Sequence, residues 1–315
     1  MPRDLTPVHP DLRAVWRKFP RLPYNRWTTR IIRWAMRLMP AARLLDEIEV
    51  SQTYTQSQDS NHKIMLRVYK PGAATCVPVL LWMHGGGLVI GSTKSEDTYV
   101  SKFVKELGIA VVSVEYRLAP DHPYPAAIED SYAALKWVQA HACSLGMDSD
   151  RIAVGGESAG GGLAASLAQM ALDRGEIQLV FQLLVYPMLD DRSALRSGSP
   201  HANLLTWTPK DNRFGWESYL RQSVDLEDVP PYSVPARREN LAGLPPAWIG
   251  VGTVDLFYDE DRAYADRLKG CGVDCEFVVV EGAFHGFDVF DDRVAPVQDF
   301  RNAQVAALKA HLSDG

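Results

Sequence analysis

The sequence predicts an α/β fold: an eight-stranded, mostly parallel sheet flanked by helices, with a helical cap. Three observations predict it. Short apolar runs alternate with longer helical stretches from residue 77 onward, and such alternation builds parallel strands joined by crossovers. One apolar run passes through a glycine-flanked turn directly into a helix, at Gly156-Glu157-Ser158-Ala159-Gly160. Two segments, residues 1–47 and 188–241, break the alternation and stand outside the sheet, where they can cover its carboxyl edge.

Ile48–Thr55 and Lys63–Tyr69 read as strands with no long crossover between them, so they form an antiparallel edge. Val77–Met83 is a buried-type strand, followed by the helix Glu96–Leu107. The strand Ile109–Tyr116 and the helix Ala126–His141 form the next unit. Arg151–Gly155 and the small-residue helix Ala159–Asp173 form another, and the strand Leu179–Val185 ends the first half. Within 188–241 only Pro209–Leu220 reads as a helix; the rest is rich in Pro, Ser and Arg. Then come the strand Ala247–Val254, the helix Glu260–Lys269, the strand Cys275–Val280 and the helix Pro296–Leu312. The core is therefore expected over 48–187 and 242–315, with 1–47 as an N-terminal cap segment and 188–241 as a cap insertion.

The chemistry starts at Ser158. In a G-x-S-x-G turn between strand and helix, the serine backbone is strained and the glycines let neighbouring backbones approach. A serine hydroxyl needs a base to take its proton, and the base needs a carboxylate to orient it. In α/β-hydrolases the chain order is serine, acid, histidine. Asp255 ends an apolar strand downstream of Ser158 and is the expected acid. Its rivals Asp259 and Glu260 fall where the next helix starts, where acids cap or favour the dipole. Only His285 and His311 follow Asp255; His311 sits in the last helix, whereas His285 lies in a loop just past a strand end. His285 is the expected base.

His84-Gly85-Gly86-Gly87 follows the strand ending at Met83. Consecutive glycines present unobstructed N–H groups, and the N–H of Ala159 adds another, which suits the negative oxygen that develops in acyl transfer. A phosphate loop fails on spacing, because G-x-x-x-x-G-K-[ST] is absent and G-x-G-x-x-G breaks at Ile90. His84 precedes the serine and reads as a loop anchor.

These stretches resemble the hormone-sensitive-lipase-like carboxylesterases, bacterial family IV of the α/β-hydrolases. The resemblance runs through His84–Gly87 with Gly91-Ser92, Tyr116–Pro120 with Pro123–Ala127, Gly156–Gly161, Tyr186-Pro187, Leu244–Ala247, Asp255 with Asp259-Glu260, and His285–Phe287. It implies a triad of Ser158, Asp255 and His285, and an oxyanion hole of Gly85, Gly86 and Ala159. It departs from the family pattern at Leu88, where an aromatic residue is common, at Glu157, where Asp or Thr is more usual, and at Ser233-Val234-Pro235. Leu88, Tyr186, Leu205, Trp207, Phe214 and Phe287 are expected around the substrate pocket, and Trp216 and Tyr219 add aromatic material to the lid or its packing. The implied activity is hydrolysis of short- to medium-chain acyl esters. An amidase or lactonase would use the same apparatus. The plant gibberellin receptors resemble the family but lack the catalytic histidine, which this chain has at His285.

The remaining features narrow the class. At 315 residues and 46% hydrophobic content, the chain suits one large α/β domain with an elaboration. A net charge of −6 argues against general nucleic-acid binding. No apolar run approaches the ~20 residues a bilayer span needs, and no signal-peptide pattern appears, so a cytoplasmic protein is expected. Cys76, Cys143, Cys271 and Cys275 read as reduced structural thiols. Asp190-Asp191 and Asp291-Asp292 lack histidine partners and read as solvated loop faces, so neither metal nor cofactor is expected. Up to Arg43 there are ten basic residues against Asp4 and Asp11. Trp27, Ile31, Trp34 and Leu38 recur at helical spacing beside Arg26, Arg30, Arg33 and Arg37, which also describes a membrane-surface helix. The expectation is a cap helix with its apolar stripe on the core and its arginines outward. Cys275–Val280 is the expected sheet edge and the place for a homodimer contact.

Overall fold

The computed structural model describes residues 4–18, 23–38, 47–57, 60–72, 75–195, 204–224, 226–289 and 293–313. Its centre is one eight-stranded sheet. In chain order the strands are β1 (Ile48–Gln56), β2 (Lys63–Pro71), β3 (Val77–Met83), β4 (Ala110–Val114), β5 (Met147–Glu157), β6 (Phe181–Val185), β7 (Ala247–Val254) and β8 (Cys275–Phe284). Their spatial order is β1-β2-β4-β3-β5-β6-β7-β8. The β1/β2 and β2/β4 pairs are antiparallel and every later pair is parallel, as the absence of an early crossover predicts. The helices are α1 (Arg13–Lys18), α2 (Arg26–Leu38), α3 (Asp97–Leu107), α4 (Ala126–His141), α5 (Ala159–Arg174), α6 (Pro209–Leu220), α7 (Tyr258–Gly270) and α8 (Ala295–Leu312).

The central strands read as continuous apolar runs because both faces are covered. Leu80, Trp82, Ala153, Leu183 and Trp248 belong to one buried cluster, and Leu81, Met83, Val154, Leu184 and Ile249 to the other. A parallel sheet with helices on both sides needs this pattern. Two strands run further than the apolar runs suggest. β5 extends from Met147 to Glu157, and β8 continues past Val280 to Phe284, the residue before His285. α7 starts two residues earlier than the sequence suggests, at Tyr258.

The N-terminal segment packs only in part. Val8, Leu12, Val15 and Trp16 are buried, the His9 N–H donates to the Gly282 carbonyl of β8 at 3.0 Å, and Trp16 Nε1 donates to the Leu204 carbonyl at 2.8 Å. α2 overturns the expected orientation. Trp27, Ile31, Trp34 and Leu38 face solvent, while Arg33 turns inward and donates to the carbonyls of Val89, at 2.6 Å, and Ala119. A cation that finds several acceptors at once is held by them, and the helix rotates to suit it.

Asp190 and Asp191 also differ from expectation. Both are buried, and they pair with Arg192 at 2.8 Å and Arg237 at 2.9 Å, so they are structural ion pairs rather than solvated faces. Asp291 and Asp292 lie outside the described residues. Among the described residues no cluster of three metal-type ligands occurs. No helix among them is long and apolar enough to cross a membrane. All four cysteines are free: Cys76 and Cys143 are exposed, Cys271 is half-buried, and burial pushes the Cys275 thiol up to about 12.

Glu260 joins the segment after β6 to α7. Its Oε1 accepts the N–H groups of Leu189 at 2.8 Å and Asp190 at 3.1 Å, so it holds that segment as well as starting a helix. Its Oε2 has no hydrogen-bond partner among the described residues, which suits a protonated acid. Burial raises the carboxyl from its ordinary 4.5 to about 8, against the pull of the two N–H groups. The folded state therefore keeps a proton that the unfolded chain gives up. The stabilisation is fully present below pH 4.5 and is lost as pH rises toward about 8. Glu260→Gln keeps the acceptor and cannot ionise, so its melting temperature falls less across that window than the wild type's. Parallel melting curves over a pH series check this; equal slopes for the two proteins would contradict it.

Candidate active site

The site stands on a backbone contact. Ser158 joins β5 to α5 with φ 54° and ψ −120°, a conformation that L-residues adopt only under constraint. Three bonds fix it there: the Ser158 N–H donates to Val185 O at 2.9 Å, and its carbonyl accepts from Gly162 N–H at 3.0 Å and Met188 N–H at 2.9 Å. The neighbouring glycines are sterically required. A Cβ on Gly156 would stand 2.4 Å from the Gly160 carbonyl group, and one on Gly160 would stand 2.1 Å from Met83 O. β3, β5 and α5 therefore meet backbone to backbone.

From this turn Ser158 Oγ lies 2.8 Å from His285 Nε2, and His285 Nδ1 lies 2.8 Å from Asp255 Oδ2. With Nδ1–H donating to the carboxylate, Nε2 is left to accept the serine proton. Asp255 directly follows β7, and its Oδ1 accepts the Phe257 N–H at 3.0 Å. His285 directly follows β8, held from three sides. Phe257 and Tyr186 meet its ring edge-on at 5.0 and 4.9 Å, and Thr206 Oγ1 donates to its carbonyl at 2.7 Å. The serine, histidine and aspartate come from three strand ends at one edge and are all nearly buried.

The glycine loop is set beside the serine by register. Met83 pairs with Gly156 across β3 and β5, so Gly85 and Ser158 lie equally far beyond that pair. Gly86, at φ 114°, accepts the N–H groups of Val89 and Ile90 on its carbonyl, which closes the loop. Ala159 opens α5, where the first N–H groups have no acceptor within the helix. His84 anchors the loop. Its ring stacks on Tyr116 at 4.2 Å, its Nδ1 lies 2.8 Å from Gly85 O, and burial lowers its pKa, so it stays neutral.

The expected pocket residues divide by placement. Leu88, at φ 63°, follows the glycines and is buried. Trp207 packs so closely on Gly87 that a Cβ there would stand 2.3 Å from its ring. Leu205 is buried beside it in the chain, and Phe214 is half-buried on α6. Trp216 and Tyr219 are fully buried on the same helix, 6.4 Å apart. Two residues stand elsewhere. Phe287 is fully buried against Phe300 of α8, and Tyr186 stands behind His285 with its hydroxyl turned to the buried Asp288 and the half-buried Glu157.

Those acids are the part of the site that sequence reasoning missed. Tyr186 Oη lies 2.7 Å from Asp288 Oδ1 and 3.2 Å from Glu157 Oε2. A phenol has one proton and can donate to only one of them, so the second contact needs a proton on a carboxyl group. Burial, with Glu96 and Asp288 nearby, raises Glu157 well above the usual carboxylate range. Glu157 is therefore the acid that keeps its proton. The glutamate in place of the more usual Asp or Thr was the available signal.

The elbow gives a stability prediction. Gly160→Ala must push β3 from α5 and should cost about 3 kcal/mol, as overpacking does. Gly175→Ala, at φ 65° in the left-handed region but with no atom within 4 Å of the added Cβ, should cost about 1 kcal/mol from the backbone alone. Urea unfolding of the two variants measures the difference, and equal losses would contradict the close-approach argument.

Residues 80–289 match a protein family described as alpha/beta hydrolase fold. The chain is 38% identical over 251 residues to Esterase LipI of Mycobacterium tuberculosis, covering 78% of each protein. Carboxylesterase NlhH of the same organism is 37% identical over 274 residues, 85% of each. Among solved structures, a bacterial heroin esterase matches with a TM-score of 0.88 at 34% identity, over 98% of this chain and 99% of that one. Esterase LipW from Mycobacterium marinum matches with a TM-score of 0.85 at 32% identity, over 100% of this chain and 99% of that one. A strand-ordered serine site and these relatives lead to one assignment: the chain belongs to the hormone-sensitive-lipase-like carboxylesterases of the α/β-hydrolase superfamily and is a carboxylic ester hydrolase.

Proposed function

We propose that the chain hydrolyses short- to medium-chain acyl esters through an acyl-enzyme on Ser158. The carrying observation is the unbroken relay of two 2.8 Å contacts, Ser158 Oγ to His285 Nε2 and His285 Nδ1 to Asp255 Oδ2. His285 takes the serine proton as Oγ attacks the ester carbonyl. Asp255 holds the ring in the required tautomer and stabilises the imidazolium. The N–H groups of Gly85, Gly86 and Ala159 receive the oxyanion. His285 then protonates the departing alkoxide, and water repeats the sequence on the acyl-enzyme.

The N-terminal segment and the 188–241 insertion act as a cap over this edge. Support comes from the Trp16 to Leu204 hydrogen bond and from Tyr24 packing on Trp207 at 5.1 Å. A cap that sets Leu88, Leu205, Trp207 and Phe214 around the acyl group would favour small acyl chains over bulk triglyceride. The protein works in the cytoplasm on this reading.

The β8 edge is the proposed homodimer contact. Glu276 and Val279 are exposed there, and α8 packs on the sheet face through Phe300 against Trp248 rather than across the edge. Pairing it across a two-fold would brace the strand that leads to His285. Light scattering should give a dimer mass for the wild type and a monomer mass for Val279→Pro; a monomeric wild type refutes the contact, and a dimeric variant moves it elsewhere.

Turnover on p-nitrophenyl esters of increasing acyl length, with emulsified triglyceride beside them, tests the reaction. Short and medium esters should turn over fastest. Ser158→Ala and His285→Ala should each lower kcat by on the order of 10⁴, with the double variant little worse. Near-normal turnover in His285→Ala, or a preference for long-chain emulsions, would overturn the proposal.

A further inference from the structure

α2 is turned the opposite way from a helix that exists only to pack. Trp27, Ile31, Trp34 and Leu38 are 76%, 65%, 64% and 65% exposed, and their spacing puts them on one face. The inward side is polar. Arg33 donates from Nε to Val89 O and from Nη1 to Asp121 Oδ2 at 2.8 Å, and Arg30 stands 3.6 Å from the same aspartate. Thr29 is buried and donates to the Asn25 carbonyl. Four large apolar side chains in one exposed stripe mark an interaction surface.

Charge identifies the occupant. Arg26 is exposed beside the stripe, and Arg30, also exposed, stands at the border between the stripe and the inward side, where it meets Asp121. The first 43 residues carry ten Lys and Arg against two Asp, in a chain whose net charge is −6. Positive charge is thus concentrated on the segment that carries the apolar face. Two copies meeting through this face would bring arginines against arginines, which disfavours self-association. An anionic lipid surface satisfies both parts: tryptophans sit at the headgroup boundary and guanidinium groups pair with phosphates. At 13 residues α2 can lie on such a surface but cannot span it.

We propose that the outward face of α2 docks the protein reversibly on an anionic lipid surface. The helix is attached where docking has a consequence. Arg33 holds α2 to the loop that follows Gly85–Gly87, and Tyr24, just before the helix, packs on Trp207. The docked helix therefore lies against the loop next to Ser158, with its lipid face turned away from that loop, and the site would receive esters that partition into the lipid.

Co-sedimentation of the full chain with vesicles tests this. The wild type should sediment with vesicles of phosphatidylcholine and phosphatidylglycerol at about 3:1, and far less with pure phosphatidylcholine or in high salt. Trp27→Ser/Ile31→Ser/Trp34→Ser and, separately, Arg26→Gln/Arg30→Gln should each lower the bound fraction ~10-fold. Turnover of soluble p-nitrophenyl acetate should be unchanged, which shows that the variants fold. Three results would overturn the proposal: no sedimentation of the wild type, equal sedimentation of wild type and triple serine variant, or a wild-type dimer that the serine variant abolishes without any vesicle binding.

Discussion

Three backbones meet at the Ser158 turn with no side chain between them, and the rest of the candidate site is built outward from that meeting. Gly156 and Gly160 leave room for Met83 O, so β3 and α5 close on β5. The closure forces Ser158 into its strained conformation and raises its hydroxyl clear of the sheet. It also sets the register that places Gly85 beside Ser158. One steric condition thus fixes both Ser158 and the register of the glycine loop beside it, and His84, stacked on Tyr116, then anchors that loop.

The histidine side is held differently, by polar contacts from distant parts of the chain. Thr206, from the insertion, takes the His285 carbonyl, and Trp16, from the N terminus, takes the carbonyl of Leu204 two residues earlier. Glu260 grips the start of the same insertion. The insertion is therefore tied to His285 through a short series of hydrogen bonds. Behind His285, Tyr186 bridges Asp288 and Glu157, and the proton that Glu157 keeps leaves the carboxyl next to Ser158 neutral.

Much of this was legible in the chain, and what was not has a common cause. Ser158, Asp255 and His285 announce themselves through local patterns, a glycine turn and two strand ends, and the parallel sheet follows from alternation. Contacts across long sequence separations leave no such mark. Glu157 meets Tyr186 and Asp288 only after folding, and Asp191 meets Arg237 from another loop. Periodicity found the apolar stripe of α2 but could not say which side faces inward. That was decided by Arg33 reaching the carbonyls of Val89 and Ala119, acceptors that exist only once the glycine loop is formed. Tyr186 is similar: its motif marked it as important, while its hydroxyl's destination depended on a carboxyl 102 residues away.

The placement of the thiols has a practical consequence. In a parallel sheet the amino ends of the strands form a floor opposite the reactive edge. Cys76 directly precedes β3, and Cys143 lies just before β5, so both exposed sulfurs sit on that floor. Cys275, also at a strand's amino end, is buried, and its thiol is too weakly acidic to compete. A maleimide-coated bead would therefore anchor the molecule by its base and leave the edge that carries Ser158, Asp255 and His285 pointing away from the support.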